Sequence, residues 1–415
     1  MLVTLRSAVL FLISGLSLFA LGGCNGNSSA SNGGPPPPGP VINTAPLISS
    51  TGPSGDPVVN LLYVTITLCA PGSTTLCQTI DHVQVDTGST GLRILASALG
   101  AGLNSTQLPQ VADSAGHAVV ECAQFADGFS WGPIKQVDLT IAGEVARSLT
   151  VQVIGDPAYE SAIPRACTSP VNVEEDTIAA FGANGILGVG NFLQDCGEAC
   201  AEGTQSGSNY NVCSGSPVAC APYTIAVAEQ VRNPVTLFAT DNNGVLIKMP
   251  SVADSGAADV AGSLIFGIDT QSDNSLGLAT VYQLQPNGTF TTTLGNSVAT
   301  GTLSDSFIDS GSNGYFFPSS IPECLNAAYF YCPSSPLDLT ATITGTNGAT
   351  SLVKFSIGSA AALTDANTTN PHLGGPGVFD GTSFDWGLPF FLGRPVFVAI
   401  EGTSLKGVPG PSVAF

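Results

Sequence analysis

Two short stretches constrain this chain more than any other feature. Residues 83–91 read VQVDTGSTG and residues 306–314 read SFIDSGSNG. In each, an apolar strand runs into Asp-Thr/Ser-Gly-Ser, and the glycine lets the backbone turn sharply and approach a partner closely. A chain of 415 residues has room for two hydrophobic cores, one around each turn. Abundant glycine (49 residues), with many Ser, Thr and Val, suits short strands joined by turns. Heptads, a long amphipathic helix and a fixed-period repeat are all missing. Each turn supplies one carboxylate, Asp86 and Asp309.

Charge narrows the partners. Ten Lys and Arg against thirty Asp and Glu give a net charge of −20, which disfavours nucleic acid and anionic lipid surfaces. The three histidines, His82, His117 and His372, form no H-E-x-x-H pattern or cluster. No G-x-S-x-G elbow or Walker loop occurs. Neither a metal nor a cofactor is expected, and the groups left for chemistry are carboxylates.

The N-terminus sets the compartment. Met1–Gly23 carries Arg6 and an apolar run from Ala8 to Leu21, and ends in Leu21-Gly22-Gly23-Cys24. This reads as a signal peptide over 1–23. Its end resembles the lipobox of bacterial lipoproteins, which implies lipidation of Cys24. That in turn implies a place in a bacterial cell envelope, with the lipid as the only membrane contact. Asn25 follows the cysteine in place of the Asp that resembles an inner-membrane retention signal, so the outer membrane is favoured. Residues 24–45, with their Pro35–Pro38 run, read as an extended tether. Setting Cys24 aside leaves ten cysteines, an even number consistent with five disulfides in an oxidising compartment. Cys69 with Cys77 and Cys324 with Cys332 read as local pairs. The C-x3-C and C-x6-C spacings of Cys196, Cys200, Cys213 and Cys220 fit zinc poorly, and three disulfide pairings remain open.

The folded part is expected from residue 46, in two β-rich halves, 46–237 and 238–415. Strands are expected at 61–68, 80–85, 262–269, 280–285 and 289–294, with a strand or short helix at 92–99. A hairpin spans 121–141, turning at Ala126-Asp127-Gly128, and a strand pair follows through a turn at 142–144. Residues 223–231 read as a helix. Asp241–Gly244 reads as a hairpin turn, since it lacks the alternating ligands of a calcium loop. The apolar stretch 384–402 should end in a core strand.

One Asp-Thr-Gly is a common turn, but two matched copies suggest a shared task. Two carboxylates within hydrogen-bond distance cannot both ionise cheaply, so they share a proton over a wide pH range. One member can then deprotonate a water while the other hydrogen-bonds a carbonyl. Ser89 and Ser312 are placed to bond the outer carboxylate oxygens, and Thr87 and Ser310 to brace the turns against each other.

Residues 60–415 resemble the pepsin-like aspartic peptidases. The resemblance rests on both Asp turns, on Ile186-Leu187-Gly188 and Trp386-Gly387-Leu388, and on GSLIFGID at 262–269. It implies a mostly β, bilobal pepsin-like double-β-barrel fold with a cleft between lobes. It further implies a monomer cleaving extended peptides with Asp86 and Asp309, supported by Thr87, Gly88, Ser89, Ser310, Gly311 and Ser312. The 121–141 hairpin then resembles the flap over the substrate, bringing Phe125 and Gly128 to the site. The chain departs from the family here, with Phe125 where a tyrosine is expected and Arg93 in place of its partner tryptophan. Stacking of Phe125 on Arg93 is the expected substitute. The tether also lacks a basic prosegment. Two other readings are a pepsin-fold lipoprotein that binds a peptide, glycan or enzyme without turnover, and an envelope protein whose Asp turns are merely structural.

Overall fold

The computed structural model describes residues 43–53, 58–168, 173–203, 209–325, 329–363, 367–377 and 381–415. The expected signal peptide, Cys24 and most of the tether lie outside them.

The first half is built from β1 (Thr44–Ser49), β2 (Leu62–Cys69), β3 (Cys77–Asp86), β4 (Thr90–Leu95), β5 (Ala118–Gln124), β6 (Gly128–Ile141), β7 (Glu144–Ile154), β8 (Val173–Glu174), β9 (Gly185–Val189), β10 (Tyr210–Ser214) and β11 (Ala219–Pro222). β3 enters the first Asp turn and β4 leaves it. β9 threads between them, parallel to β3 with Asp86 opposite Gly188, and antiparallel to β4. β7 then runs parallel to β4. β4 and β9 are buried at every position, which suits the apolar GILGV of β9 and leaves Thr90 and Arg93 of β4 in need of buried partners.

The second half contains β12 (Gly244–Lys248), β13 (Val260–Phe266), β14 (Val281–Gln283), β15 (Phe290–Gly295), β16 (Thr300–Ile308), β17 (Tyr315–Phe316), β18 (Leu337–Thr344), β19 (Thr350–Ile357), β20 (Gly374–Gly375), β21 (Asp385–Trp386) and β22 (Pro395–Ala399). It repeats the arrangement. β16 enters the second Asp turn and β17 leaves it. β21 threads between them, parallel to β16 and antiparallel to β17, and β20 lies parallel to β17. Around this motif an aromatic cluster fills the core. Phe384 stacks on Trp386 at 4.0 Å and on Phe317 at 4.7 Å, while the indole Nε1 donates to Thr292 Oγ1 at 3.1 Å.

One sheet joins the halves, because β1 pairs with β2 on one side and along its whole length with β13 on the other. This strand starts at Thr44, inside the stretch read as tether, and the sequence reading missed it. Pro46 hid it. The ring is tolerated because only Ile48 and Ser49 pair with β2, leaving the missing N–H on an open edge. Two further expectations fail. Residues 223–231 hold only a 3-10 turn at Val227–Glu229, because tertiary bonds claim the backbone: Ile225 N–H donates to Cys200 O, and the Gln230 side chain bonds both N–H and C=O of Gly197. Asp241–Gly244 is no hairpin turn. It links a 3-10 helix at Pro234–Leu237 to β12, with buried Asp241 accepting from Thr270 and Gln271.

Five disulfides form among the described cysteines. Cys69–Cys77 and Cys213–Cys220 link residues paired across hairpins. Cys196 pairs with Cys200, and Cys324 with Cys332. Cys122–Cys167, which encloses the widest sequence separation (45), ties β5 to the loop after β7. Replacing both cysteines by alanine is expected to cost about 2–4 kcal/mol in denaturant unfolding, more than loss of any hairpin disulfide.

Candidate active site

The parallel registers bring the two Asp turns face to face. Thr87 and Ser310, both buried, exchange two hydrogen bonds, and each hydroxyl donates one more to a carbonyl across the join. Thr87 Oγ1 donates to Ile308 O at 3.1 Å and accepts from Ser310 N–H at 2.9 Å. Ser310 Oγ donates to Val85 O at 2.8 Å and accepts from Thr87 N–H at 3.1 Å. Each hydroxyl thus serves as donor and acceptor across the join, as its chemistry allows. Gln84 Nε2 adds a further bond to Gly311 O at 2.9 Å.

This clamp sets the carboxylates. Asp86 and Asp309 come together at one point: a Cβ placed on Gly311 would lie 2.6 Å from Asp86 Oδ1 and 3.0 Å from Asp309 Oδ1. Gly88 N–H donates to Asp86 Oδ1 and Gly311 N–H to Asp309 Oδ1, both at 2.7 Å. A Cβ on Gly88 would fall 2.6 Å from Asp309 Cγ, and one on Gly311 2.6 Å from Asp86 Oδ1. Glycine is therefore required for each carboxylate to cross to the other turn. The threading strands impose the same demand: a Cβ on Gly188 would lie 2.7 Å from Thr90 N, and one on Gly387 2.1 Å from Gly314 O.

The two sides are not equivalent. Ser312 Oγ donates to Asp309 Oδ2 at 2.8 Å. Ser89 stands beside Asp86 and favours its ionised form, yet its buried hydroxyl finds no partner of full hydrogen-bond geometry. Burial, and after it the charge of Asp309, raises the Asp86 pKa well above the usual carboxylate range.

The flap region departs from expectation. Phe125 does not stack on Arg93; its ring packs against Phe181 with centroids 6.3 Å apart. Arg93 is buried in an ion-pair network. Its Nη2 lies 2.6 Å from Glu121 Oε1 and 3.2 Å from Asp195 Oδ2, and its Nη1 donates to Thr90 O. Tyr210 Oη donates to Asp195 Oδ1 and accepts from Val231 N–H, both at 2.7 Å. A fully buried guanidinium needs carboxylates, and it finds them on β5 and in the cysteine-dense insertion. Burial and Glu121 together hold Asp195 well above the ordinary carboxylate range. Gly128 lies at the start of β6, where a Cβ would fall 2.5 Å from Glu175 Oε1. Glu175 is pushed up to about 8, first by burial and then by the charge of Asp127 at the hairpin turn.

The sequence reading missed Glu121, Asp195, Tyr210, Glu175 and Asp385. Only Asp385 had a local signal, a lone acid in the apolar run FDWGLPFFLG. It is 3% exposed, and burial raises its pKa well above the usual range, with Asp309 and Asp86 adding to the rise.

Paired Asp turns, each threaded by a glycine-bearing strand and locked to its counterpart, define the pepsin-like bilobal fold. In agreement, the aspartic proteinase from Irpex lacteus superposes with a TM-score of 0.51 at 14% identity, covering 89% of this chain and 96% of that one. The sequence profile of the family described as "Protein of unknown function (DUF3443)" matches residues 39–415, and the chain belongs to that family. No curated protein matches it.

Two outcomes are expected. Thr87→Val leaves the buried Ser310 N–H without an acceptor and should cost roughly 2–3 kcal/mol in denaturant unfolding, whereas Thr87→Ser should cost less. Glu175 has a raised folded pKa, so its contribution to stability is full below the unfolded value of about 4.3 and is lost as pH rises through about 8. Glu175→Gln should therefore gain in Tm over the parent progressively from about pH 5 to pH 8, and a constant offset would contradict this sign.

Proposed function

We propose that this protein is an aspartic endopeptidase whose catalytic pair is Asp86 and Asp309. One observation carries the reading: two carboxyls brought together at one point, clamped through Thr87 and Ser310, each with a Gly N–H on one oxygen. Such a pair holds a single proton over a wide pH range and titrates as a unit. The proton resides at the more buried Asp86, which hydrogen-bonds the scissile carbonyl. The unprotonated side of the pair takes a proton from the attacking water. The tetrahedral intermediate then collapses as the leaving amine accepts a proton from the pair, giving a carboxylic acid and an amine. These steps use only water and the two carboxyls.

The surroundings suit an extended chain. A cavity of 210 Å³ opens beside Gly88, with Phe192, Leu284, Phe290 and Phe307 among its lining residues, and would take an apolar substrate side chain. Phe125 at the hairpin turn supplies an apolar cover with no hydroxyl. Because Asp86 is raised, the singly protonated pair persists upward from the acid range, and the rate falls once pH passes its pKa.

The test is cleavage of a peptide library between about pH 3 and pH 7 by parent and Asp86→Asn protein. The substitution should lower the rate by roughly a hundred- to ten-thousand-fold with the fold intact. Equal cleavage by both proteins would exclude Asp86 from the chemistry.

A further inference from the structure

A second cavity opens in the second half of the chain. Its volume is 510 Å³, and it shares no lining residue with the cavity beside Gly88. A space of this size holds a small organic molecule. Its walls come from the paired strands β18 and β19, from His372, and from the segment after β21 that carries Pro389, Leu392 and Arg394.

Two of the ten Lys and Arg of this acidic chain line it, Arg394 and Lys354. Arg394 is half-buried and held on two sides. Its guanidinium lies 4.0 Å over the Phe390 ring, and its Nη1 donates to Phe390 O. Among the described residues its Nε and Nη2 make no hydrogen bond, and no carboxylate pairs with it. Elsewhere buried Arg93 takes two carboxylates, and exposed Arg147 takes Asp138. With thirty acids to ten cations in the chain, a half-buried guanidinium left without one is an exception that a bound anion would answer. The unused Nε–Nη2 edge presents two N–H groups side by side, the spacing that matches the two oxygens of a carboxylate. Lys354 is exposed and also makes no hydrogen bond or ion pair among the described residues, so its ammonium is free to close on the same anion.

The lining sets the rest of the ligand. Asp338 contributes one carboxylate, which accepts from Ser356 Oγ at 2.6 Å, and His372 is paired with Asp254. Two free cations against one lining carboxylate leave an excess of a single positive charge. That suits a carboxylate better than a doubly charged phosphate. Leu339, Phe355, Pro389 and Leu392 offer an apolar wall for the body of the molecule.

We propose that this cavity binds a small organic acid, with its carboxylate on the Arg394 fork and the Lys354 ammonium and its apolar part against Leu339 and Phe355. The site stands apart from the peptidase reading, since neither Asp86 nor Asp309 lines it.

The test is an equilibrium titration of the full-length protein with phenylacetate, read from the NMR linewidth of the probe. Phenylacetamide serves as the neutral counterpart and inorganic phosphate as a competitor. Phenylacetate should saturate in the millimolar range, as expected for so small a molecule. Phenylacetamide should bind at least about tenfold more weakly, because it cannot accept two charge-assisted bonds. Arg394→Gln should weaken phenylacetate by about tenfold or more, and Arg394→Lys, which keeps the charge without the fork, by nearly as much. Arg394 also packs on Phe390, so Lys354→Glu provides the check at an exposed position. It should keep the Tm of the parent and still weaken phenylacetate by about three- to tenfold. Three results would each overturn the site: no saturable binding of phenylacetate, binding unchanged by Arg394→Gln or Lys354→Glu, or equal affinity for phenylacetamide. Phosphate that displaces phenylacetate at equal concentration would overturn the choice of a carboxylate.

Discussion

The crossed hydrogen bonds of Thr87 and Ser310 are what the rest of the structure depends on. They hold two strand ends from distant parts of the chain at one point, with both hydroxyls fully used and no water required. Around them the fold places everything a charge pair needs: glycines that let each carboxyl cross over, an N–H on one oxygen of each, and apolar strands that exclude solvent. Remove the clamp and two mutually repelling carboxyls would have little reason to stay together. The clamp offsets that repulsion locally, and the threading strands β9 and β21 keep it from twisting open.

Much of this was legible in the residues because it depends on short-range chemistry. Asp-Thr-Gly and Asp-Ser-Gly state the turn, the carboxyl and the bracing hydroxyl within three positions. Ile186-Leu187-Gly188 and Trp386-Gly387 announce close backbone approach by their glycines. The Cys69–Cys77 disulfide followed from spacing, since its cysteines flank one turn, whereas the pairing of Cys213 with Cys220 did not. What stayed hidden was long-range. Arg93 reads as a stacking partner of Phe125 until β5 and the segment after β9 bring Glu121 and Asp195 to it. Residues 223–231 have the composition of a helix, but side-chain and backbone partners outside the segment take its hydrogen bonds. β1 carries a proline that argues against a strand until its open edge is known.

The two halves share a motif yet differ in what surrounds it. The first half ties its β5–β6 hairpin to β4 with a buried, acid-rich ion network around Arg93. The second packs its threading strand in stacked rings and buries Asp385 with one carboxyl oxygen unpartnered. Buried acids outnumber buried cations in both places, so several must keep their protons to remain buried. Proton loss at higher pH therefore adds charge where water cannot reach.

Strand β1 has a consequence for how the chain reaches its native state. Thr44 lies opposite Ile265 and Ser49 opposite Val260, so the first strand of the sheet waits for a partner made more than two hundred residues later. Until β13 arrives, one edge of β1 is an open template and the two Asp turns have no common frame. Contacts so distant in sequence make assembly slow, and exposed edges invite pairing with other chains. The joint between the halves therefore cannot be secured before residues 260–265 are in place.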